Sequence, residues 1–502
     1  MHPALELLEI RDAICASFNP EGNMEDRKSL ARLARTSSCF EAPALDELWR
    51  EQTSFEPLVR CFPANLFSLE GTQPKIVRAH RPVVQSDWIR PLRYTHRVHK
   101  FRMESDLIVT GFLETVALSM PGANLFPRIK TFKLHRPRLL SLPDLALIQM
   151  LFLASASELR VLFLDLQALP PAGLSILAGL GTRKFPMLKV LSLRTSTLDD
   201  AGIRAVSDFV RTLPATTLVV QVFSFDWDAS TYLSELPRIR RLLLDVLPIH
   251  NARSLPREHT LNSSVDEPRF PALTHLTIRK ATSEALARFL SCFIQHSPLK
   301  NAEITLDDLT TEHLHRVSRS LAEHCDPNTL GALTLRMPYD ANVEAGGNMG
   351  APLIDALRPL FCFSALRAVS VRTGNAFLLR DDDVAELTRA WTNLSVLRLK
   401  SIVNPSVCGP SLESLLHIAR NCRVLSCLEM DVLVDASQTP AALSGYTGLN
   451  TQDTTPQRNL TRVHIWLASP AGVVEEGDWT CRERLSRVAK ILFPRAELLL
   501  IS

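Results

Sequence analysis

The chain has 502 residues, 56 Lys and Arg against 53 Asp and Glu, and a net charge of +3. Hydrophobic residues make up 46% and charged residues 22%, which excludes a disordered, mucin-like or collagen-like chain. So small a net charge gives no global attraction to nucleic acid or to a membrane surface. The length allows two to four compact domains or one elongated repeat array.

The opening MHPALELLEIRD has no basic region followed by an apolar run, so it does not read as a secretory signal. Residues 1–62 read as an amphipathic module of three short helices, about 4–18, 27–39 and 42–51, with Pro43 placed for a first helical turn. Such a module is too small to be very stable by itself. Residues 1–62 carry 7 Lys and Arg and 11 Asp and Glu, net −4, and residues 75–138 carry 13 and 4, net +9. The basic stretch reads as a solvated edge partly neutralised by its acidic neighbour. Residues 63–97 read as a linker.

From residue 98 to the end, an apolar-x-x-apolar-x-apolar pattern recurs. Copies include FPRIKTFKL (126–134), ELRVLFL (158–164), FPMLKVLSL (185–193), LPRIRRLLL (236–244), FPALTHLTI (270–278), TLGALTL (329–335), FSALRAVSV (363–371), NLSVLRL (393–399), RVLSCLEM (423–430) and NLTRVHI (459–465). Ile129, Leu159 and Leu188 are 30 and 29 residues apart, and the 51 residues from Leu188 to Ile239 leave room for one degenerate copy near 213–220. Leucine supplies 82 residues, about 16% of the chain. A period near 30 is at or slightly above the range of leucine-rich repeats. In a strand, alternate side chains point the same way, so Leu162 and Leu164 point inward and Phe163 points outward. Between copies, 195–213, 280–296 and 309–325 read as amphipathic helices preceded by Ser, Thr or Asp as caps. The expected fold is α/β, a solenoid with a curved parallel sheet and outer helices over 98–502. Loop insertions are expected near 248–269, 338–352 and 433–458, which are polar or rich in Gly, Pro, Ser, Thr and Asn.

No HExxH, GxSxG, GxxxxGK[ST] or EF-hand signature is present, so no catalytic residue, cofactor or metal site is assigned. His313 and His315 lie two apart on an expected helix and face different directions. Ten scattered cysteines without a CxxC pair read as reduced thiols of a cytoplasmic or nuclear protein. The most apolar run, 145–156, is too short to span a bilayer. The expected substrate surface is the outward, concave face of the sheet: Arg279, Arg336, Arg372, Arg398, Lys400, Asp431 and Trp466. Arg279, Arg336, Arg372 and Lys400 recur at nearly equivalent positions, forming a basic ladder suited to an acidic or phosphorylated segment.

The blocks ALELLEIRDAICASF, LARLARTSSCF and APALDELWRE, in that order, resemble the F-box region of the basidiomycete F-box/leucine-rich-repeat proteins. DWIRPLRYTHRVHKF (87–101) resembles the linker that follows it in that group. Where the family has a proline before the Glu-Ile pair, this chain has Leu8. The resemblance implies a substrate-recognition subunit of a Skp–cullin–F-box ubiquitin ligase. In it the F-box docks a Skp-type adaptor, and through it a cullin, and the repeats bind a protein substrate. By position it implies adaptor contacts at Leu5, Leu7, Ile10 and Ile14, at Leu33, Ala34, Cys39 and Phe40, and at Leu45 and Trp49. The alternative is a repeat scaffold for protein binding outside any ligase, with the helical module as a cap.

Overall fold

The computed structural model describes residues 7–20, 22–71, 75–104, 107–108, 112–120, 124–135, 146–153, 157–167, 175–182, 185–195, 199–247, 269–294, 297–307, 311–337, 352–373, 379–401, 410–433, 460, 462–468, 486, 493 and 497–501. The chain divides into two compact units, Met1–Arg238 and Ile239–Ser502. The fold is α/β, with the main strands added in chain order to parallel neighbours in each unit.

The first unit begins with α1 (Leu8–Ala16), α2 (Met24–Thr36) and α3 (Ser38–Arg50), and the last runs directly into strand β1 (Glu51–Gln52). After α4 (Glu56–Val59) come β2 (Phe67–Glu70) and β3 (Lys75–Ala79), then a 3₁₀ turn (Gln85–Trp88) and α5 (Ile89–Thr95). The main strands follow: β4 (Lys100–Glu104), β6 (Thr131–His135), β7 (Val161–Asp165), β8 (Val190–Arg194) and β9 (Val219–Val222). They continue from β1 in the order β1-β4-β6-β7-β8-β9, all parallel, while β5 (Leu107–Ile108) joins β2 and β3 in a small second sheet. The second unit repeats the scheme with β10 (Arg241–Leu244), β11 (His275–Ala281), β12 (Asn301–Leu306), β13 (Ala332–Arg336), β14 (Ala368–Thr373), β15 (Val396–Ser401), β16 (Cys427–Leu433), β17 (Arg462–Ala468) and β18 (Glu497–Ile501).

The recurring apolar pattern explains these strands. β6, β12 and β13 alternate inward and outward side chains, and the leucine three residues before the second apolar position enters the core from the preceding turn. Ile129, Leu159, Leu188, Ile239, Leu273, Leu299, Leu330, Leu366, Leu394 and Leu425 are all buried at that position. The degenerate copy is β9, where Val220 and Val222 take the inward places. Helices return the chain between strands: Asp200–Val210 is capped by Asp199, which accepts the Gly202 amide at 2.7 Å, and Ser283–Phe293 by Thr282, which accepts the Ala285 amide at 3.2 Å. Their inward residues, Val206 and Val210, and Leu286, Phe289 and Leu290, are buried.

A backbone device recurs at ten strand starts among the described residues. The His99 carbonyl accepts the amides of Lys130 (2.7 Å) and Thr131 (3.0 Å), and the Lys130 carbonyl accepts those of Arg160 (2.8 Å) and Val161 (3.1 Å). Arg160 and Lys189 repeat this in the first unit, and Arg240, Thr274, Lys300, Gly331, Arg367 and Ser395 in the second. One carbonyl per repeat thus satisfies two amides of the next.

Some elements differ from the sequence reading. Residues 63–97, read as a linker, fold around Phe62, whose ring meets Trp88 at 5.0 Å and Phe67 at 5.2 Å edge-on. Their apolar residues are too spread out to make a periodic signal. The strand β1 is only two residues long and carries no pattern of its own. The third helix starts at Ser38 and not near 42, so Pro43 lies inside it and not in its first turn. The three expected loop insertions fall almost wholly outside the described residues. No helix among the described residues is long and apolar enough to cross a membrane.

Inward and outward positions should differ sharply in cost. Ile304→Ala, at a fully buried site in β12, is expected to destabilise by about 2–5 kcal/mol in urea unfolding. Thr334→Ala on the outward side of β13 should stay within about 0.5 kcal/mol. His99 supplies a pH test. Its Nδ1 is buried without a hydrogen-bond partner, and burial first, then Lys130, Arg50 and Arg128, against Glu158, push its titration below the ordinary 6.5. The unfolded chain therefore binds more protons just below 6.5, and stability falls as the pH drops through that value. His99→Gln should shrink the drop in urea midpoint between about pH 7.5 and 5.5, leaving the share of His275, lowered for the same reason of burial.

Candidate interaction surfaces

The helical module builds its own small core. Cys15, Leu30, Phe40 and Ala44 are buried together, with Ile14, Phe18, Leu33, Ala34, Cys39 and Leu48 packed against them. Pro43 has no N–H to give the Cys39 carbonyl four residues earlier, as a helix requires. The Arg11 guanidinium supplies the missing donor at 2.7 Å, which fastens α1 to α3. On the far side of α3, the Trp49 ring stacks on Tyr94 at 4.6 Å, and Arg97 pairs with Asp46 and donates to the Ala42 carbonyl at 3.2 Å.

The implied adaptor contacts are therefore placed in two ways. Ile14, Leu33, Ala34, Cys39 and Phe40 face the module's own core, and Trp49 lies under Tyr94. Leu7 is 55% exposed at the start of α1 beside Leu8 at 54%, and Ile10 and Leu45 are half-buried. Leu5 lies outside the described residues.

On the outward face of the second unit, Arg336 pairs in register with Arg372, and Arg372 with Lys400. Strands lie about 4.8 Å apart, so these three cations form a contiguous row across β13, β14 and β15. Arg279 is not continuous with them. A register shift between Ile278 and Ala281 displaces it, Thr305 of β12 stands between, and its guanidinium turns to Asp245 at 3.0 Å. Arg398, one step down β15, stands beside its in-register neighbour Glu429 at 3.5 Å, and Arg372 reaches the same carboxylate at 3.7 Å. Arg336 meets Glu303 at 3.1 Å. Asp431 and Trp466 pair in register between β16 and β17, while their side chains lie outside those described.

Below the row the outward residues are small: Ala332 and Thr334 on β13, and Ala368 and Ser370 on β14. The result is a shallow floor, two strands wide, under a rim of cations. Among the described side chains, four cations (Arg336, Arg372, Arg398, Lys400) face two carboxylates (Glu303, Glu429). Glu303 and Glu429 engage Arg336, Arg372 and Arg398, the kind of charged contact a carboxylate or phosphate would also make. The sequence reading found the cations by their period but not which acids partner them, nor the floor beneath. Both depend on which strands lie side by side.

A pocket of about 710 Å³ in the first unit is lined by Cys61, Phe62, Phe67, Asp87 and Arg90 among others. Two of its ionisable groups, Asp87 and Cys61, are engaged or inert. Asp87 accepts two bonds from Arg81 at 2.7 and 2.8 Å and the Val84 amide at 2.9 Å, and the Arg81 guanidinium holds its carboxyl below the usual carboxylate range. Burial pushes the Cys61 thiol up to about 11, away from thiolate chemistry at neutral pH. His315 turns its Nδ1 to the Asp355 carbonyl at 2.9 Å. Among the described residues, no three His, Cys, Asp or Glu side chains gather as a metal site would need.

A scan against models of known protein families finds no match to this chain, and a search of curated proteins finds no similar sequence.

The Arg11 bond is testable. Arg11→Met keeps the apolar stem but leaves the Cys39 carbonyl without its guanidinium donor, at a cost of about 1–3 kcal/mol. Hydrogen exchange in α1 and α3 should speed up, while that of β12 to β14 stays unchanged.

Proposed function

We propose that the chain is the substrate-receiving subunit of a Skp–cullin–F-box ubiquitin ligase. In this reading the chain carries out no chemistry. It holds a substrate near the ligase's ubiquitin-charged enzyme and acts through effective concentration. The observation that carries it is a combination within one chain. A three-helix module leaves Leu7 and Leu8 in solvent at its first helix, and a repeat sheet bears an in-register row of cations on its outward face. The resemblance of the three helical blocks to F-box sequences supports the same reading. With five of the ten implied contacts turned into the module's core and Trp49 under Tyr94, the adaptor would rest on Leu7, Leu8 and the exposed edge of α1.

A second reading has its own observation. Trp49 under Tyr94, and Arg97 on Asp46 and Ala42, tie α3 to the segment that follows it, as a cap on a repeat scaffold would be tied. Co-expression with a Skp-type adaptor separates the two. The ligase reading expects the full chain to co-purify with the adaptor, and the double variant Leu7→Asp, Leu8→Asp to lose it while remaining folded. Arg336→Glu with Arg372→Glu should retain the adaptor. A folded full chain that brings down no adaptor overturns the ligase reading and leaves the scaffold.

A further inference from the structure

The outward face of the first unit carries a feature that the receptor reading does not use. Val161, Val190 and Val219 pair in register across β7, β8 and β9, all three on the outward side and half-buried. Outward positions of a sheet face open to water are ordinarily polar, and here three aliphatic side chains stand in one row. Two residues further along β7 stands Phe163, also outward. His135 of β6 stacks on its ring at 4.5 Å, and the Arg194 guanidinium of β8 lies over it at 5.2 Å. The ring is thus held by side chains from the strand on either side.

The charges around this strip are unbalanced. Lys133 is the in-register neighbour of Phe163 on β6 and makes no ion pair among the described residues. Arg194 keeps its Nε without an acceptor. Its in-register neighbour Asp165 is buried and turns Oδ1 to the Gln167 amide at 3.3 Å. At the other edge Glu51 is shared by Lys100 at 3.2 Å and Arg102 at 3.5 Å.

We propose that this face binds an extended peptide segment that carries an aliphatic residue followed at two and four positions by acidic residues. The spacing follows from the strand rise of about 3.3 Å per residue. The valine row lies two residues from the level of Lys133 and four from Arg194. Those are the i, i+2 and i+4 side chains of one face of a peptide running along the strands. The valines take the aliphatic group, and Lys133 and Arg194 take the carboxylates. Single-stranded nucleic acid fits less well, because Phe163, the ring in this strip on which a base would stack, is already covered by His135 and Arg194. The proposal concerns the first unit's sheet face and does not depend on assembly with an adaptor.

The test presents the full-length chain, without adaptor, to an array of short synthetic peptides of permuted sequence. Peptides with the aliphatic-x-acidic-x-acidic pattern should be enriched about tenfold over shuffled versions of the same composition. Lys133→Glu with Arg194→Glu should turn the preference to Lys and Arg at those two positions. Val190→Asp should remove the aliphatic preference and leave the acidic one. Arg336→Glu with Arg372→Glu, on the second unit, should change nothing. No enrichment overturns the proposal, as does enrichment that survives the reversal at 133 and 194. Enrichment lost in the 336 and 372 variant places the binding on the other unit and overturns it too. Oligothymidine that displaces the peptides and is itself lost with the 133 and 194 reversal makes this a nucleic-acid face instead.

Discussion

The structure rests on one carbonyl per repeat that accepts two consecutive amides from the next. His99, Lys130, Arg160 and Lys189 do this in the first unit, and Arg240 to Ser395 in the second. The bond pair sets where each strand begins relative to its predecessor. A strand slipped by one residue would turn every leucine outward and every cation inward. Parallel pairing offers no hairpin turn to fix register, so this junction and the leucine just before it do the work together. Leu159, Leu188, Leu273 and Leu330 are wholly buried beside the shared carbonyl, and each contributes about 1.5–3 kcal/mol of burial.

Once inward positions are constrained, outward positions are free to diverge, and the two units use that freedom differently. The second unit sets Arg336, Arg372 and Lys400 side by side above Ala332, Thr334, Ala368 and Ser370, with Glu303 and Glu429 pairing part of the charge. The first sets three valines and Phe163 beside Lys133 and Arg194. The second unit's face is a polar, cationic floor and the first unit's an aliphatic strip with a basic rim. The cations of these ion pairs are about half-exposed, so the pairs contribute little to stability.

The helical module illustrates a local irregularity resolved at a distance. Pro43 inside α3 removes a backbone donor, and the chain answers with Arg11 from another helix. The same α3 is held on its other side by Tyr94 and Arg97. A segment with few buried residues is thereby fixed by a guanidinium donor, a ring stack and an ion pair, the partner in each supplied from outside the helix.

The strands, their inward residues and the α/β class were legible in the sequence, because a period-two pattern repeated about every 30 residues admits few other folds. The degenerate copy at β9 and the helix caps at Asp199 and Thr282 followed from the same logic. The cations of the ladder were legible as a series, since equivalent positions recur. Their partners were not: Asp245 breaks Arg279 away from the row, and Glu429 reaches two arginines at once, because those contacts join residues from different repeats. The folding of residues 63–97 and the burial of Ile14, Phe40 and Trp49 were likewise decided in three dimensions. Periodicity states which way a side chain points within its own element. What stands opposite it is settled only when elements distant in sequence pack against each other.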